Sequence, residues 1–440
     1  MGRKLWAWAG LVTALAVAAG GAYIALGGRP PAGFGVVGAG PGGPIVIGLI
    51  HSQTGLMAIS EKSLLDAELL AIDEINDRGG VGGRPVKGVV ADGRSEPAVF
   101  GAQARRLIDS EKAVALFGGW TSESRKAILA VVEEKDNLLV FSANYEGMER
   151  SGNVLYTSGS ANQTVVPAVR WCVDTLKARR FFVVGNEEIW SRCAAEIAKD
   201  AAKAAGAEVA GEAYLPMAGG DVAPTIGAIK AARPDLILNT MIGESCLPFY
   251  AGLRPSGLAA DKLPVMGFGI AEDELRRFPA GDMAGHYAGC SYFQSVDRDE
   301  SRDFVRKFRA KYGANRVASD AIVAAYNGVM LWAQAAAEAG TAEPGAVQKH
   351  LDRQSLDAPE GIITIDPDSR VVWRPFHVGR SRPDGQFDVV WSVTKPIRPV
   401  AFVGTRSRSQ WREFVAGLQA RWGGRWSASA GARAAASASP

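Results

Sequence analysis

An α/β fold of two lobes, each a mainly parallel sheet flanked by helices and the pair closing like a clamshell, is the architecture the sequence predicts. Three observations point to it. Short β-rich runs alternate with amphipathic segments of helical length, the signature of βαβ units. The alternation passes through two cycles, one whose last strand ends near residue 143 and one beginning near 180. Beyond 285 the order changes to a long helical pair and then hairpin strands, as in a chain that returns to its first lobe and crosses again. The 440 residues also exceed what one core covers, since single cores stop growing near about 250 residues.

The elements follow in order. IVIGLI (45–50) reads as a buried strand, and Leu65, Leu69, Ile72 and Ile75 then form one helical stripe that stops at Gly79-Gly80. Strands at 85–92, 113–118 and 138–143 alternate with helices near 96–111 and 122–135. The second cycle has strands at 180–185, 207–215, 235–240 and 263–268 with helices at 189–205, 221–232 and 245–256 between them. A strand at 286–293 precedes helices near 300–313, 318–339 and 344–355. Strands near 361–365, 371–378 and 386–393 close the body, the last two flanking the turn Arg382-Pro383-Asp384-Gly385. The predicted division is therefore 45–157 with 287–357 as lobe 1, and 158–286 with 358–397 as lobe 2. Two facing α/β lobes make one cleft, lined by the loops at the carboxyl ends of their strands.

The ends differ from this body. Arg3 and Lys4 precede an apolar stretch from Leu5 to Leu26, so 1–28 reads as a signal peptide or a signal anchor. Small-x-small sites favour cleavage, whereas a span of about 33 Å and the interfacial Trp6 and Trp8 suit a retained anchor. Either outcome places the body outside the cytoplasm, with the membrane as a partner if the segment stays. Residues 29–44 form a Gly/Pro linker. Its Gly38-Ala39-Gly40-Pro41-Gly42-Gly43 matches the dinucleotide fingerprint only formally, because it precedes the first strand instead of following one. The net charge of +3 divides into +3 for 1–44, −6 for 45–397 and +6 for 398–440. An acidic body argues against nucleic acid as a partner. In the basic extension 398–440, Trp411, Phe414, Val415, Leu418 and Trp422 share one helical face that either lies on an anionic membrane or packs on the protein itself. Residues 427–440 hold nothing to bury and read as disordered. Cys172, Cys193, Cys246 and Cys290 lack zinc-site spacing. Export permits a disulfide, with Cys172–Cys193 conceivable, but buried free thiols fit better.

Several stretches resemble one family: IGLIHSQTGLMAISE (47–61), IDEINDRGGVGGRPV (72–86), FGGWTSESRKAIL (117–129), NYEG (144–147), NVLYTSGSANQ (153–163), LPFY (247–250), APEGIITIDP (358–367) and DGQFDVVWSVTKPI (384–397). They are similar to type I periplasmic substrate-binding proteins of the urea and short-chain amide branch, which serve ABC transporters. The resemblance implies the two-lobed clamshell, a small polar amide-like ligand, a permease as partner and no cofactor. Together with the rule that strand-to-helix loops face the cleft, it places the site at Ser52, Trp120, Thr121, Ser122, Tyr145, Glu146, Trp190, Gly243 and Glu244. The residue types agree with that chemistry. Thr121, Ser122 and Tyr145 supply hydroxyl donors for a ligand carbonyl, and Glu244 a carboxylate for ligand N–H groups. Each has a plainer reading: Thr121 and Ser122 as helix caps, Glu146 as a holder of Arg125 or Arg150, and Glu244 as a solvated loop acid. The sequence departs from the family where a Tyr-rich loop is replaced by Glu188-Ile189-Trp190-Ser191-Arg192, and Asn-Gly-Asp by Ile242-Gly243-Glu244. Those changes reshape the pocket of the second lobe.

A sensor or receptor subunit of the same fold is the alternative role. Catalysis is not expected: no nucleophile elbow, H-E-x-x-H or Walker loop occurs, and His51, His286, His350 and His377 are scattered.

Overall fold

The computed structural model describes residues 42–428, apart from 278, 280, 353 and the side chain of 394. The signal or anchor segment, most of the linker and the last twelve residues fall outside that range. No helix among the described residues is long and apolar enough to cross a bilayer.

The chain starts with strand β1 (Ile45–His51) and helix α1 (Ala58–Asp77), then β2 (Val86–Asp92), α2 (Pro97–Asp109), β3 (Leu116–Gly118), α3 (Ser122–Glu134), β4 (Leu139–Phe141) and β5 (Val154–Tyr156). These strands form a wholly parallel five-stranded sheet in the order β2-β1-β3-β4-β5. Such a sheet is covered on both faces, which is why β1 is a continuous apolar run. Helix α1 is buried on two sides: Leu65, Ile72 and Ile75 meet the sheet, while Leu64, Ala67 and Leu70 meet a second cluster with Phe304 and Phe308.

The second lobe contains α4 (Ala161–Asp174), β6 (Arg180–Asn186), α5 (Ile189–Ala204), β7 (Glu208–Leu215), α6 (Ala223–Ala232), β8 (Leu236–Asn239), α7 (Cys246–Leu253), β9 (Val265–Gly267), the single turn α8 (Glu272–Leu275) and β10 (Tyr287–Cys290). The chain then returns to the first lobe as α9 (Asp299–Tyr312), α10 (Asp320–Ala339) and α11 (Pro344–Leu351). It ends with β11 (Ser355–Ala358), β12 (Gly361–Ile365), β13 (Val372–Ser381), β14 (Phe387–Ile397) and α12 (Arg408–Arg421). The second sheet is nine-stranded, ordered β11-β12-β13-β10-β9-β8-β6-β7 with β14 on β13; it is parallel from β10 to β7 and antiparallel beyond.

Two boundaries move from those expected. Strand β10 pairs with β9 and β13, so the return to lobe 1 comes after Cys290, not before Tyr287. The β11–β12 hairpin bonds to β13, yet Ala358, Ile363 and Ile365 bury their side chains in the first lobe's core. Residues 358–365 therefore pack with lobe 1, not lobe 2. The crossing is pinned by Arg374, fully buried, which donates to Asp320 (2.6 Å) and Glu360 (2.8 Å), while Asn327 donates to the same Glu360. The four cysteines are buried and free. The apolar face of α12 is turned inward: Trp411 and Leu418 are fully buried against α5 and its surroundings, which removes the membrane-facing alternative for that face.

Candidate functional site

Strand β3 ends in two glycines that force the geometry of the first jaw. Gly118 (φ +135) and Gly119 (φ +78) lie in the left-handed half of the map, and a Cβ on Gly118 would fall 1.8 Å from the Ile50 carbonyl oxygen. The chain can turn there only without side chains. Trp120 then projects between the lobes, and Thr121, in extended conformation, caps α3 by accepting from the Ser124 N–H at 3.0 Å.

Trp120, Asn144 and Gly269 are shared by two small cavities along the seam between the lobes. One is completed by Thr121, Ser122, Ala143, Trp190 and Ile242. The other is completed by apolar Phe268, Ile270 and Ala271 and by polar Ser158, Glu274, Ser319 and Asp320. Their free volumes are about 20 and 30 Å³, the space of one or two water centres. Direct contacts explain the tightness. Asn144 Nδ2 donates to the Phe268 carbonyl (2.8 Å), Ser60 Oγ donates to Glu274 Oε1 (2.7 Å), and Met57 packs against Gly243. The lobes are closed on each other.

Charge is distributed unevenly around the seam. No Lys, Arg or His side chain lines either cavity among the described residues. Burial, with Asp273 adding to it, pushes the Glu274 carboxyl up to about 7. Burial also raises Glu272 to about 8, where one oxygen accepts from the Gln294 N–H (2.7 Å) and Oε2 has no partner among the described residues. Asp320 is raised by burial against the pull of Arg374.

Of the residues expected in the site, Trp120, Thr121, Ser122 and Trp190 come together here. The other five are placed elsewhere. Ser52 is fully buried and bonded within lobe 1, its N–H to Glu61 (2.7 Å) and its Oγ accepting from the Ser95 N–H (2.9 Å). Tyr145 donates its hydroxyl to the Glu149 carbonyl and stacks on Tyr156. Glu146 accepts from Arg125 (2.7 Å) and from Ser122 Oγ (2.6 Å), so its role is to hold the guanidinium. Gly243, at φ +62, touches Met57 and lines neither cavity. Glu244 is exposed: the short 3₁₀ turn 243–245 fixes Ser245 inward, bonded to Asn186 and the Ile242 carbonyl, and leaves Glu244 facing solvent. Asn144, Glu274 and Asp320 were missed. Asn144 precedes Tyr145 in NYEG, and Glu274 lies in the first turn after β9, seven residues beyond Gly267, so extending the strand-end rule to that loop would have reached it.

A family model described as "Periplasmic binding protein domain" matches residues 45–408. Among curated proteins, "Limonene hydroxylase" of Geobacillus stearothermophilus is 34% identical over 114 residues, 26% of this chain and 21% of that protein. An "Amino acid binding protein" of Pseudomonas aeruginosa is 25% identical over 240 residues, 54% of this chain and 64% of that protein. The chain thus spans less than two thirds of either. A solute-binding protein of an ABC transporter from Rhodopseudomonas palustris BisB5, solved with 3,4-dihydroxybenzoic acid, superposes with a TM-score of 0.73 at 19% identity, over 81% of this chain and 98% of that one. That likeness is one of fold.

Proposed function

The chain belongs to the periplasmic binding protein domain family, and from that premise we propose that it is an exported solute-binding protein that captures a small polar ligand between its lobes without turning it over and presents the closed form to an ABC transporter permease. One observation supports the ligand class: the seam has the N-terminus of α3 at Thr121–Ser122 and the carboxyl of Asp320 on the first lobe, the carboxyl of Glu274 on the second, Trp120 and Trp190 as apolar walls, and no cationic lining among the described residues. Helix N–H groups take a carbonyl or carboxylate oxygen. Buried acids take N–H donors. A ligand with both, such as a short-chain amide, urea or an amino acid, fits this donor set better than a hydroxybenzoate, which brings no N–H. The free volume is too small for any of them as it stands, so uptake requires the lobes to part and reclose, and the ligand favours closure through contacts to both sides.

Differential scanning of the purified protein with urea, acetamide, amino acids and hydroxybenzoates tests this. A native-state ligand raises the melting temperature by mass action. An N–H-bearing compound is expected to do so and to be recovered unchanged. Stabilisation by hydroxybenzoates alone would overturn the ligand class, and a consumed ligand would overturn the binding role.

A further inference from the structure

The segment 398–428, most of which lies beyond the family match that ends at residue 408, carries a second set of inter-lobe contacts. It is anchored on the second lobe: Trp411 is fully buried with its indole N–H donated to the Val403 carbonyl (2.8 Å), and Arg406 bonds Glu196 (2.5 Å) and Asp200 (2.8 Å) on α5. After α12 the chain runs beside the residues that open α5. The Ile189 N–H donates to the Trp426 carbonyl (3.0 Å), and the Ala428 N–H to the Glu187 carbonyl (2.9 Å).

Two further points of the same segment reach the first lobe. Ser427 Oγ donates to Glu123 Oε2 (2.7 Å) in the first turn of α3, and Lys126 Nζ lies 4.2 Å from the centroid of the Trp426 ring. Upstream of α12, the Ala401 carbonyl accepts from the Met148 N–H (2.6 Å). Its approach requires Gly147 (φ +83), where a Cβ would stand 2.4 Å from that oxygen. Helices α3 and α5 are the two whose first turns bring Thr121, Ser122 and Trp190 to the seam. Moving them apart breaks the Ser427–Glu123 bond and the Lys126–Trp426 contact.

We infer that residues 398–428 form a strap along one side of the cleft that ties the lobes together and biases the ligand-free protein toward closure. This rests on the reading that the lobes open and close. A bias toward the closed form raises the share of molecules in that form before any ligand arrives, and so tunes apparent affinity without touching the ligand.

The test is the inter-lobe distance in the full chain without ligand. Spin labels replace the exposed Lys87 on the first lobe and Lys230 on the second, and the native thiols are buried and do not compete. Trp426→Ala with Ser427→Ala removes the first-lobe contacts at that end while leaving Trp411 and Leu418 seated. It is expected to raise the open-to-closed ratio roughly tenfold. Glu123→Ala, made on the other lobe, should shift the ratio in the same direction by a few fold. Unchanged distances in both variants overturn the strap, whether the lobes stay shut or open equally. Variants that open in a protein that no compound of the screen stabilises keep the strap and remove the solute-binding reading.

Discussion

On the first-lobe side of the seam, Glu146 and Glu149 share the buried guanidinium of Arg125, which also lies about 5 Å over the rings of Phe141 and Tyr145. On the second-lobe side, Glu272 and Glu274 are equally buried and have no cationic partner among the described residues. The same residue type therefore does opposite work in the two jaws. Burial alone would raise the Glu149 carboxyl, but Arg125 and Lys126 outweigh it and hold it at about 2, whereas burial unopposed by a cation takes Glu272 and Glu274 up to about 8 and 7. The first jaw is a fixed platform. The second is built from acids that gain or lose their charge near neutral pH, at the surface where the lobes meet.

The harshest way to break this comparison is to remove the platform's cation. Arg125→Met leaves Glu146 buried with only Lys126, 3.9 Å away, as a countercharge and removes one of the two cations that hold Glu149, and breaking a buried pair from one side costs about 3–5 kcal/mol. Urea denaturation should register that loss. A change below about 1 kcal/mol would mean that the two carboxylates are solvated and that the jaws do not differ.

The second prediction concerns pH. Glu272 and Glu274 have folded-state values above the usual 4.5, so the closed protein binds more protons than the unfolded chain between about pH 4.5 and 8, and stability falls as pH rises through that window. Glu149 has the opposite sign: its stabilisation is present above pH 4.5 and is lost as pH falls toward 2. The contribution of Glu272 and Glu274 to the unfolding free energy should therefore decline from about pH 5 to pH 8, by an amount on the order of 2–4 kcal/mol. Glu188, raised to about 8 by burial, contributes in the same direction as the second-jaw acids, so the diagnostic is the difference between wild type and Glu274→Gln. Parallel curves for the two proteins would remove Glu274 from the account.

How much of this the sequence revealed depends on whether the signal was local. The strand and helix alternation was legible because parallel strands buried on both faces read as apolar runs, β1 and β6 above all. Strand β11 was not, because Ser355–Ala358 is short and lacks an apolar pattern, and the lobe of β10 was misread because a strand's partners are not written in its own residues. In the site, Trp120, Thr121, Ser122 and Trp190 follow from the rule that strand-to-helix loops face the cleft. Glu244 satisfied the same rule and still points away, since the direction of one side chain was decided by a 3₁₀ turn held through Ser245 and Asn186. Glu274 and Asp320 lie 46 residues apart in the chain and meet only because the lobes close, which no local pattern reports.

The smallest effect sharpens the comparison at the rim of the first jaw. If that jaw is a platform whose polar groups are already committed, the Thr121 hydroxyl serves the helix: Oγ1 accepts from the Ser124 N–H, and Ser124 Oγ donates back to the Thr121 carbonyl at 2.8 Å. Thr121→Ala should then cost the protein about 1 kcal/mol, the usual worth of a cap, while the affinity for whichever screened compound binds stays within about twofold. Thr121→Ser keeps the cap and should change neither quantity. The ligand would be met instead by N–H groups of the first turn, which the substitution leaves in place. A fall in affinity of about tenfold in Thr121→Ala, with the melting temperature unmoved, would show the hydroxyl turned toward the ligand, and the first jaw would prove as adaptable as the second.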